Sequence, residues 1–482
     1  MQQKIYIETY GCQMNVNDSQ VAASILVSEG CSITEDIHQA DVILVNTCSV
    51  RDNAEKRVLG RLEVFHQEKK KRPNVIVGVM GCMAQRLREK LLENNNVDFS
   101  IGPDSYRSLP NVIKHISEGG EKLTETTLSK VETYSDIDPV RVDSNGVTAF
   151  ISIMRGCNNM CSYCIVPFTR GRERSRDPKS IEREAKQLVK EGFKEVTLLG
   201  QNVDSYLWTD PDNPTHTVNF AQLLELVALV NPKLRVRFQT SHPKDIRKGV
   251  LYTMAMYPNI CPHIHLPVQS GSNRMLEKMN RKYTREEYLQ KIQDIREILP
   301  DSAITTDIIA GFCSETDEDH KQTISLLKEV QYDSAFMFQY SQRPDTLAAR
   351  RYPDDVPEET KTARLNEIIA LQNTISLAAN KKCIGKTYEV LVEGTSKRSE
   401  NQMIGRTPQN KVCVFDKKDC APGDFVHVKV LSATSATLMG EIVTPHKSLT
   451  DKADEKMEEL KEKLIEKIGR LKEERQAKKE QK

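Results

Sequence analysis

The sequence predicts an α/β protein of three domains followed by a charged helical tail. Up to about residue 380, short β-branched runs alternate with stretches of helical periodicity, which is typical of parallel sheets covered by helices. From there to about residue 445, apolar and polar residues alternate with a period of two, which indicates antiparallel strands. At 482 residues the chain is also longer than one ordinary domain.

The first domain, residues 1–120, is predicted to be a Rossmann-like parallel sheet. Its clearest strand runs are residues 4–9, 42–46 and 75–79. Each run ends just before a cysteine, and these cysteines are Cys12, Cys48 and Cys82. Because the carboxyl ends of parallel strands share one edge of the sheet, we expect the three cysteines to meet in space. The alternative is that they are unrelated residues, each buried as a small hydrophobic side chain.

The second domain, residues 143–380, contains about six strand–helix units. Six runs have the character of strands: Phe150–Met154, Val196–Leu199, Arg235–Phe238, Ile264–Leu266, Ile304–Ile309 and Ala335–Phe338. Six units predict a partial (β/α)6 barrel, because a closed barrel of this type has eight. Such barrels place their chemistry at the carboxyl ends of the strands, so the loops that follow the strands should face one cavity.

Residues 381–445 are predicted to form a small C-terminal antiparallel β-barrel or sandwich, and residues 446–482 a charged helix. The barrel prediction rests on alternating runs at Tyr388–Val392, Val412–Phe415, Phe425–Leu431 and Ala436–Ile442. The tail is charged but carries apolar residues at helical spacing. We expect it to dock on the body of the protein or to fray, and the alternative is a helix that binds a partner.

Composition restricts the classes of protein to which the chain can belong. A formal charge of +1 argues against a strongly basic nucleic-acid binder, although it is compatible with local basic patches. No apolar run approaches the roughly 18 residues that a membrane span needs, and the N-terminus enters a strand-like run at once. We therefore expect a cytoplasmic protein without a membrane segment. In that compartment, its 12 cysteines indicate metal or redox chemistry more than disulfides.

A second group of cysteines lies on one short loop, with the spacing Cys157-x3-Cys161-x2-Cys164. Three thiolates can hold three corners of a [4Fe–4S] cluster and leave one iron open to a small molecule, which is the arrangement of an enzyme. The alternative is a structural zinc site, which needs four ligands. No second cysteine pair follows, and the histidines of this domain lie far along the chain.

The loop from Arg155 to Cys164 resembles the cysteine motif of radical S-adenosylmethionine (SAM) enzymes, C-x3-C-x-aromatic-C. The resemblance implies that SAM binds the open iron and that the reduced cluster cleaves it to a 5′-deoxyadenosyl radical. It places Tyr163 beside the adenine of SAM, and Gln201 and Asn202 in the loop that binds its methionine part. It further suggests ribose and adenine contacts from Gln269, Ser270, Gly271 and Gly311.

Further motifs extend the resemblance to one family within that superfamily. Residues 9–15, 46–51 and 81–86 look like the N-terminal domain of methylthiotransferases, and residues 265–272 and 306–312 look like their radical core. The region near 383–444 is similar to the TRAM module, an RNA-binding β-barrel. The run Gly-Cys-Gln-Met-Asn at residues 11–15 is typical of the MiaB branch. That branch methylthiolates carbon 2 of N6-isopentenyladenosine next to the anticodon of tRNA.

The resemblance also implies a role for the first cysteine trio. Cys12, Cys48 and Cys82 would bind an auxiliary [4Fe–4S] cluster whose open iron holds the sulfur to be delivered. One SAM would methylate that sulfur, and a second would supply the radical. The expected partners are tRNA bearing isopentenyladenosine, a low-potential electron donor of the flavodoxin or ferredoxin type, and a sulfur or cluster-assembly donor; a monomer is expected. Cys313-Ser314 stands where the family usually has Pro-Gly, so Cys313 is not expected to be a ligand.

RNA contact requires cations, and two groups of them stand out. The first comprises Arg170, Arg172, Arg174 and Arg176. If that segment is extended, all four guanidinium groups point the same way and suit phosphates or the SAM carboxylate. The alternative is a set of ion pairs with Glu173, Asp177 and carboxylates on helices. The second group is Lys397 and Arg398 in the TRAM-like region.

Two other functions remain open at the level of sequence. A relative of the RimO branch would modify a ribosomal protein side chain, although Gln13-Met14-Asn15 differs from the tripeptide usual there. A non-catalytic RNA-binding Fe–S or zinc protein would use the cysteines only to brace its fold, and it would not cleave SAM.

Overall fold

The computed structural model describes residues 3–49, 52–94, 96–142 and 144–444. The charged helix predicted for residues 446–482 lies outside the described residues, as does the last residue of the predicted C-terminal barrel. None of the helices within the described ranges is both long and apolar enough to cross a bilayer.

The N-terminal domain is a six-stranded sheet in which all neighbouring strands are parallel, in the order β2-β1-β3-β4-β5-β6. Its elements are β1 (Lys4–Tyr10), α1 (Gln13–Ser28), β2 (Ser32–Ile33), β3 (Val42–Thr47), α2 (Asp52–Lys71), β4 (Ile76–Gly81), α3 (Cys82–Leu87), β5 (Phe99–Ile101), α4 (Leu109–Ser117) and β6 (Leu123–Glu125). Strands β3 and β4 are buried along their whole length because helices pack on both faces of the sheet. The predicted parallel-sheet domain is confirmed.

The middle domain begins with the strand and helix that carry the compact cysteine loop. Its first elements are β7 (Thr148–Ser152), β8 (Met154–Arg155), α5 (Val166–Arg170), β9 (Arg174–Ser175), α6 (Pro178–Lys190), β10 (Glu195–Leu199), β11 (Leu207–Thr209), β12 (Thr217–Asn219), α7 (Phe220–Ala228) and β13 (Arg235–Gln239). The remainder comprises α8 (Lys248–Met256), β14 (His263–His265), α9 (Asn273–Lys278), α10 (Arg285–Ile298), β15 (Ala303–Ala310), α11 (Asp317–Val330), β16 (Ser334–Gln339), α12 (Leu347–Arg351) and α13 (Glu358–Lys381).

Six of these strands form the wall of a partial barrel. β7, β10 and β13 make one parallel sheet, and β14, β15 and β16 make a second. A parallel bridge joins Val236 of β13 to Ile260, three residues before β14, and so brings the two sheets side by side. The outward side chains of the strands pack against the surrounding helices in one large apolar core. All six predicted strands are present, so the partial (β/α)6 barrel is confirmed.

The C-terminal domain is a closed five-stranded barrel in the order β17-β18-β19-β21-β20. Its strands are β17 (Thr387–Ser396), β18 (Ser399–Arg406), β19 (Val412–Asp416), β20 (Phe425–Ala433) and β21 (Thr437–Ile442). Four of the five strand pairs are antiparallel, so the predicted antiparallel barrel is confirmed, and the fifth pair, β19 with β21, is parallel. Closing a ring of five strands forces one such pair, because five is odd and directions cannot alternate throughout.

The C-terminal barrel docks on the amino ends of the middle domain's strands. Arg235, the first residue of β13, donates to the carbonyls of Arg406 and Glu389 at 2.9 Å each. Lys411 pairs with Asp333, the residue just before β16, at 2.6 Å. The opposite, carboxyl edge of the strands is therefore left for the cysteine loop.

Candidate active site

The first cysteine trio is assembled at the carboxyl ends of three neighbouring strands. The register pairs Tyr10 of β1 with Thr47 of β3, and Thr47 with Gly81 of β4, so Cys48 and Cys82 leave the sheet side by side. Gly11 lets β1 approach them, because a side chain there would place its Cβ 2.6 Å from the Cβ of Cys48. The prediction that the three strand ends meet is confirmed by this geometry.

Two asparagines hold the loops of this trio together, and sequence reasoning did not single them out. Asn15 lies in the Gly-Cys-Gln-Met-Asn run, and Asn46 precedes Cys48 by two residues. The Nδ2 of Asn15 donates to the Oδ1 of Asn46 at 3.1 Å, and the Nδ2 of Asn46 donates to the carbonyl of Asn15 at 2.8 Å. The thiol of Cys12 lies 3.2 Å from the Oδ1 of Asn15. The sequence did offer a signal for them, because an asparagine stands within three residues of both Cys12 and Cys48.

The thiols of this trio differ in their tendency to ionise. A hydrogen bond with Cys48, helped by the charge of Arg170, lowers the pKa of Cys12 to about 6 against the opposing effect of burial. Burial raises the pKa of Cys82, and the Arg170 guanidinium partly opposes that shift. Arg170 is itself buried, and its Nη1 has no hydrogen-bond partner among the described residues. A buried cation with a spare donor suits an anionic cluster held by these thiolates.

The second trio lies on the loop between β8 and α5. Gly156 has φ +77°, and a Cβ there would lie 2.1 Å from the carbonyl oxygen of Arg172. The backbone segments at Gly156 and Arg172 therefore pass too close together for a side chain at residue 156. The amide of Cys157 donates to Gly171, and the amide of Cys164 donates to Cys161. Burial raises the pKa of Cys157 to about 11 and that of Cys164 to about 12. A [4Fe–4S] cluster would supply the positive irons that such buried thiolates require.

Arg281 supports this second trio and was missed by sequence reasoning. Its Nη1 lies 3.3 Å from the sulfur of Cys161 and 3.3 Å from the hydroxyl of Tyr163. Its Nη2 donates to the carbonyl of Pro267 at 2.7 Å. The guanidinium is buried, and no carboxylate lies within ion-pairing distance of it in the described part of the chain. A buried cation in such a place requires an anion, and a thiolate-bound cluster is one.

The predicted comb of four arginines facing RNA is wrong for three of its members. Arg170, Arg174 and Arg176 are buried, because Arg170 ends helix α5 and the chain then turns at Gly171. Arg176 pairs with Glu184 of α6. Ion pairing, the alternative considered from the sequence, is what the structure shows. Its expected helix carboxylates are present as Asp18 of α1 and Glu184 of α6, whereas Glu173 and Asp177 are not the partners of these arginines among the described residues. Arg172 is exposed, so its contact with RNA stays a prediction.

Two of these arginines belong to a buried ion-pair network that joins the two domains. Asp18 on α1 accepts from Arg155 at 2.8 Å and from Arg170 at 2.7 Å. Asp104, also in the N-terminal domain, accepts from Arg174 at 2.9 Å. Neighbouring arginines hold the pKa of Asp18 below its usual range, although burial opposes the shift. Because Arg155 precedes Cys157 by two residues and Arg170 follows Cys164 by six, the network sets the two trios relative to each other.

Polar atoms without partners mark the predicted SAM pocket at the ends of β10 and β13. The Oε1 of Gln201, the Oδ1 of Asn202 and the Nε2 of His242 are buried and have no hydrogen-bond partner among the residues described. Buried polar atoms are rarely left unpaired, so a polar ligand is expected there. The amino and carboxylate groups of SAM fit this requirement. His242 was not predicted as a contact; burial lowers its pKa to about 2, so it is neutral.

The other predicted SAM contacts have less support. The Oγ of Ser270 lies 3.3 Å from the Oγ1 of Thr323 on α11, and the amide of Gly271 donates to the same hydroxyl at 3.0 Å. A Cβ on Gly311 would lie 2.3 Å from the Cγ of Lys361. Packing accounts for the positions of these three residues, and SAM contacts from them stay predictions. Gln269 pairs its backbone with β15, and SAM contacts from it or from Tyr163 stay predictions.

The geometry bears on the zinc alternative as well. No three His, Cys, Asp or Glu side chains converge on a single-ion site in residues 3–49, 52–94, 96–142 and 144–444. A zinc site requires such convergence of four ligands. In a [4Fe–4S] cluster each thiolate binds its own iron, so its ligands stand further apart. The described side chains therefore do not form a converging four-ligand zinc site.

Comparison with known proteins agrees with this division of the chain. Three family models match: Uncharacterized protein family UPF0004 at residues 4–102, the Radical SAM superfamily at 151–327 and the TRAM domain at 381–443. Among solved structures, the radical S-adenosylmethionine methyltransferase TsrM from Kitasatospora setae has a TM-score of 0.55 at 14% identity, covering 72% of this chain and 77% of its own. That likeness shows the fold.

Sequence relatives match over nearly the whole length. The tRNA-2-methylthio-N(6)-dimethylallyladenosine synthase of Bacteroides thetaiotaomicron is 56% identical over 91% of this chain and 96% of its own. The enzyme of the same name from Porphyromonas gingivalis is 53% identical over 92% of this chain and 95% of its own. The chain therefore belongs to the tRNA-2-methylthio-N(6)-dimethylallyladenosine synthase family of radical SAM enzymes.

Proposed function

We propose that the protein methylthiolates carbon 2 of N6-isopentenyladenosine next to the anticodon of tRNA. The observation that carries this proposal is the position of two three-cysteine sites next to one domain junction. Arg170 follows the second trio in sequence, and its charge acts on Cys12 and Cys82 of the first. Two such sites at one junction fit a reaction in which one site makes a radical and the other delivers sulfur.

Each trio has a defined duty in this proposal. Cys157, Cys161 and Cys164 would hold the radical cluster, and Cys12, Cys48 and Cys82 the auxiliary one. When bound, the first cluster and SAM supply a 5′-deoxyadenosyl radical, and the second carries the sulfur that a further SAM methylates. A radical is needed because general acid–base catalysis contributes roughly 10²–10⁴-fold, too little to activate an aromatic C–H bond.

The protein's own residues prepare the site for this chemistry. Arg281 donates to the Cys161 sulfur, which stabilises negative charge on the ligand. Gln201, Asn202 and neutral His242 offer hydrogen bonds to the amino and carboxylate groups of SAM. The burial of these groups keeps water away from a reactive radical.

The expected partners and location follow from the same chemistry. Reduction of the radical cluster requires a low-potential electron donor of the flavodoxin or ferredoxin type, and repeated turnover requires a sulfur or cluster-assembly donor. Exposed Arg172, Lys397 and Arg398 are proposed contacts for tRNA phosphates. We expect the protein to act as a monomer in the cytoplasm, where tRNA is modified.

The test is an anaerobic reaction of the iron- and sulfide-reconstituted protein with SAM, a strong reductant and tRNA bearing isopentenyladenosine. Digested nucleosides are then read by mass spectrometry. The methylthio nucleoside, together with 5′-deoxyadenosine and S-adenosylhomocysteine, is the expected result. Deoxyadenosine without modified tRNA would point to a protein substrate instead. Neither product, from protein shown to hold both clusters, would leave a binding protein.

A further inference from the structure

The inner wall of the barrel carries two phenylalanines that the chemistry above does not use. On β15, Ile304 and Ile308 face outward and pack with the helices, so Asp307 and Ile309 face inward. The register pairs Phe336 of β16 with Asp307, and Phe338 with Ile309. Both phenylalanines therefore face the interior, while Met337 between them packs on the outer core.

These rings are unusually exposed for their position. Phe336 is 55% exposed and Phe338 is 40% exposed. β16 is the last strand of the incomplete barrel and has no further strand beside it in the described chain, so the rings lie at its open side. Exposed aromatic rings inside a barrel indicate a surface for a ligand rather than part of the core.

The strand that carries them ends between the two cysteine trios. Tyr340 follows β16, its ring lies 4.9 Å from that of Phe312, and Phe312 in turn lies 6.5 Å from Tyr163 of the radical loop. Further on, Arg343 is close enough to Cys48 for their charges to interact. The amide of Ala348 then donates to the carbonyl of Ser162 at 2.6 Å. A ligand on Phe336 and Phe338 therefore lies on the path to both trios.

Polar groups next to the rings narrow the chemistry of that ligand. The ring of His265 meets Phe336 edge to face at 5.8 Å, and its Nε2 lies 3.4 Å from the Oδ1 of Asp307. The Asp307 side chain is 27% exposed and can accept a further hydrogen bond. The wall thus offers flat apolar faces next to a hydrogen-bond acceptor.

We propose that Phe336, Phe338 and Asp307 bind the prenylated adenine of the substrate, an inference that rests on the proposed function. Proteins recognise unpaired bases by stacking them on aromatic side chains. The prenyl chain adds apolar surface that suits the same rings, and the one remaining N6–H is a donor that suits Asp307. A protein side chain would need no such flat platform.

The test compares RNA binding by the reconstituted full-length protein and its variants in the presence of SAM. The probes are a fluorescent anticodon stem-loop bearing N6-isopentenyladenosine and the same RNA with plain adenosine, read by anisotropy. Phe336→Ala and Phe338→Ala should each weaken binding of the prenylated loop by about tenfold and reduce its advantage over the plain loop. Phe336→Tyr keeps the ring and should retain binding.

Leu229→Ala is the matched control, since Leu229 is 63% exposed at the end of α7 on the outside of the barrel. Thermal unfolding checks that each variant folds. If both folded alanine variants keep the wild-type affinity and the wild-type preference for the prenylated loop over the plain loop, the inference is overturned. The proposed function fails separately, if the wild type forms no methylthio nucleoside. Product from the wild type with unchanged kcat/KM in both alanine variants would remove the inference alone.

Discussion

The two cysteine trios are built in different ways. Cys157, Cys161 and Cys164 lie within eight residues of one loop, which distant segments brace through bonds from Ser162 to Met279 and from Ala348 to Ser162. Cys12, Cys48 and Cys82 are brought together by the register of three strands and by a glycine that permits close approach. The first site therefore takes all its ligands from one short segment, whereas the ligands of the second are brought together only by the folding of a whole sheet.

The two trios also differ in the partners of the buried arginine that lies beside each of them. Arg281 has no carboxylate partner among the described side chains, and it contacts Cys161, Tyr163, the hydroxyl of Tyr283 and the carbonyl of Pro267. Arg170 shares its charge between the first trio and Asp18 on the other domain. Changes at the domain junction should therefore affect the auxiliary site before the radical site.

The largest expected effect comes from removing each trio in turn. With Cys157, Cys161 and Cys164 changed to Ala, 5′-deoxyadenosine formation should be abolished, while methyl transfer from SAM to the auxiliary sulfur survives. With Cys12, Cys48 and Cys82 changed to Ala, the methyl acceptor is absent and some unproductive SAM cleavage remains. Iron content should fall by about half in each, since each trio holds one cluster. Loss of both activities in both folded variants would contradict two separate sites.

The domain junction allows a sharper comparison through Asp18 and Asp104. Asp18→Asn leaves Arg170 without its buried carboxylate and removes one of the two that Arg155 contacts, and it should cost about 3–5 kcal/mol in the free energy of unfolding. Because Arg170 is then no longer held, auxiliary iron should fall while radical iron is retained. Denaturant unfolding measures the loss of stability. Iron analysis measures each cluster by itself, in protein from which the other cluster has been removed.

Asp104→Asn is the matched control for that variant. Asp104 is also buried and also joins the two domains, but its partners are Arg174 and Arg155 rather than Arg170. It should lower stability in the same way and leave auxiliary iron unchanged. Equal loss of auxiliary iron in both variants would mean that the junction supports the trio only through general stability.

Arg281 provides the reverse comparison. Arg281→Gln removes a charge-assisted hydrogen bond to the Cys161 sulfur, an interaction of about 1.5–3 kcal/mol, and should slow SAM cleavage by about 10–100-fold. Arg281→Lys keeps the charge and should recover part of the rate. Methyl transfer at the auxiliary site should not change. An equal loss of methyl transfer would show that Arg281 acts on the whole fold and not on the radical loop.

What the sequence could predict follows this contrast between local and distant contacts. The strands, the partial barrel and the gathering of Cys12, Cys48 and Cys82 were predictable, because β-branched runs and strand-end positions are local patterns. The burial and pairing of Arg170 were not predictable, because its partner Asp18 lies 152 residues away in the sequence. Arg170 also ends helix α5, where an extended segment was expected. Arg281 was missed for the same reason, because its target Cys161 lies 120 residues earlier.

The smallest expected effect concerns Lys397 and Arg398, which lie exposed in the turn between β17 and β18. Changing both to Ala should weaken tRNA binding by a few-fold and reduce the slope of log K against log salt by about 0.7–0.9 for each phosphate that is no longer neutralised. Product formation at saturating tRNA should be unchanged, because the C-terminal barrel docks on the amino ends of the strands and both cysteine trios lie at the other edge. Lys190→Ala serves as the control for loss of positive charge elsewhere on the surface, because Lys190 is exposed at the end of α6 in the middle domain. An unchanged salt slope in the double variant would assign RNA binding to surfaces nearer the trios, such as Arg172.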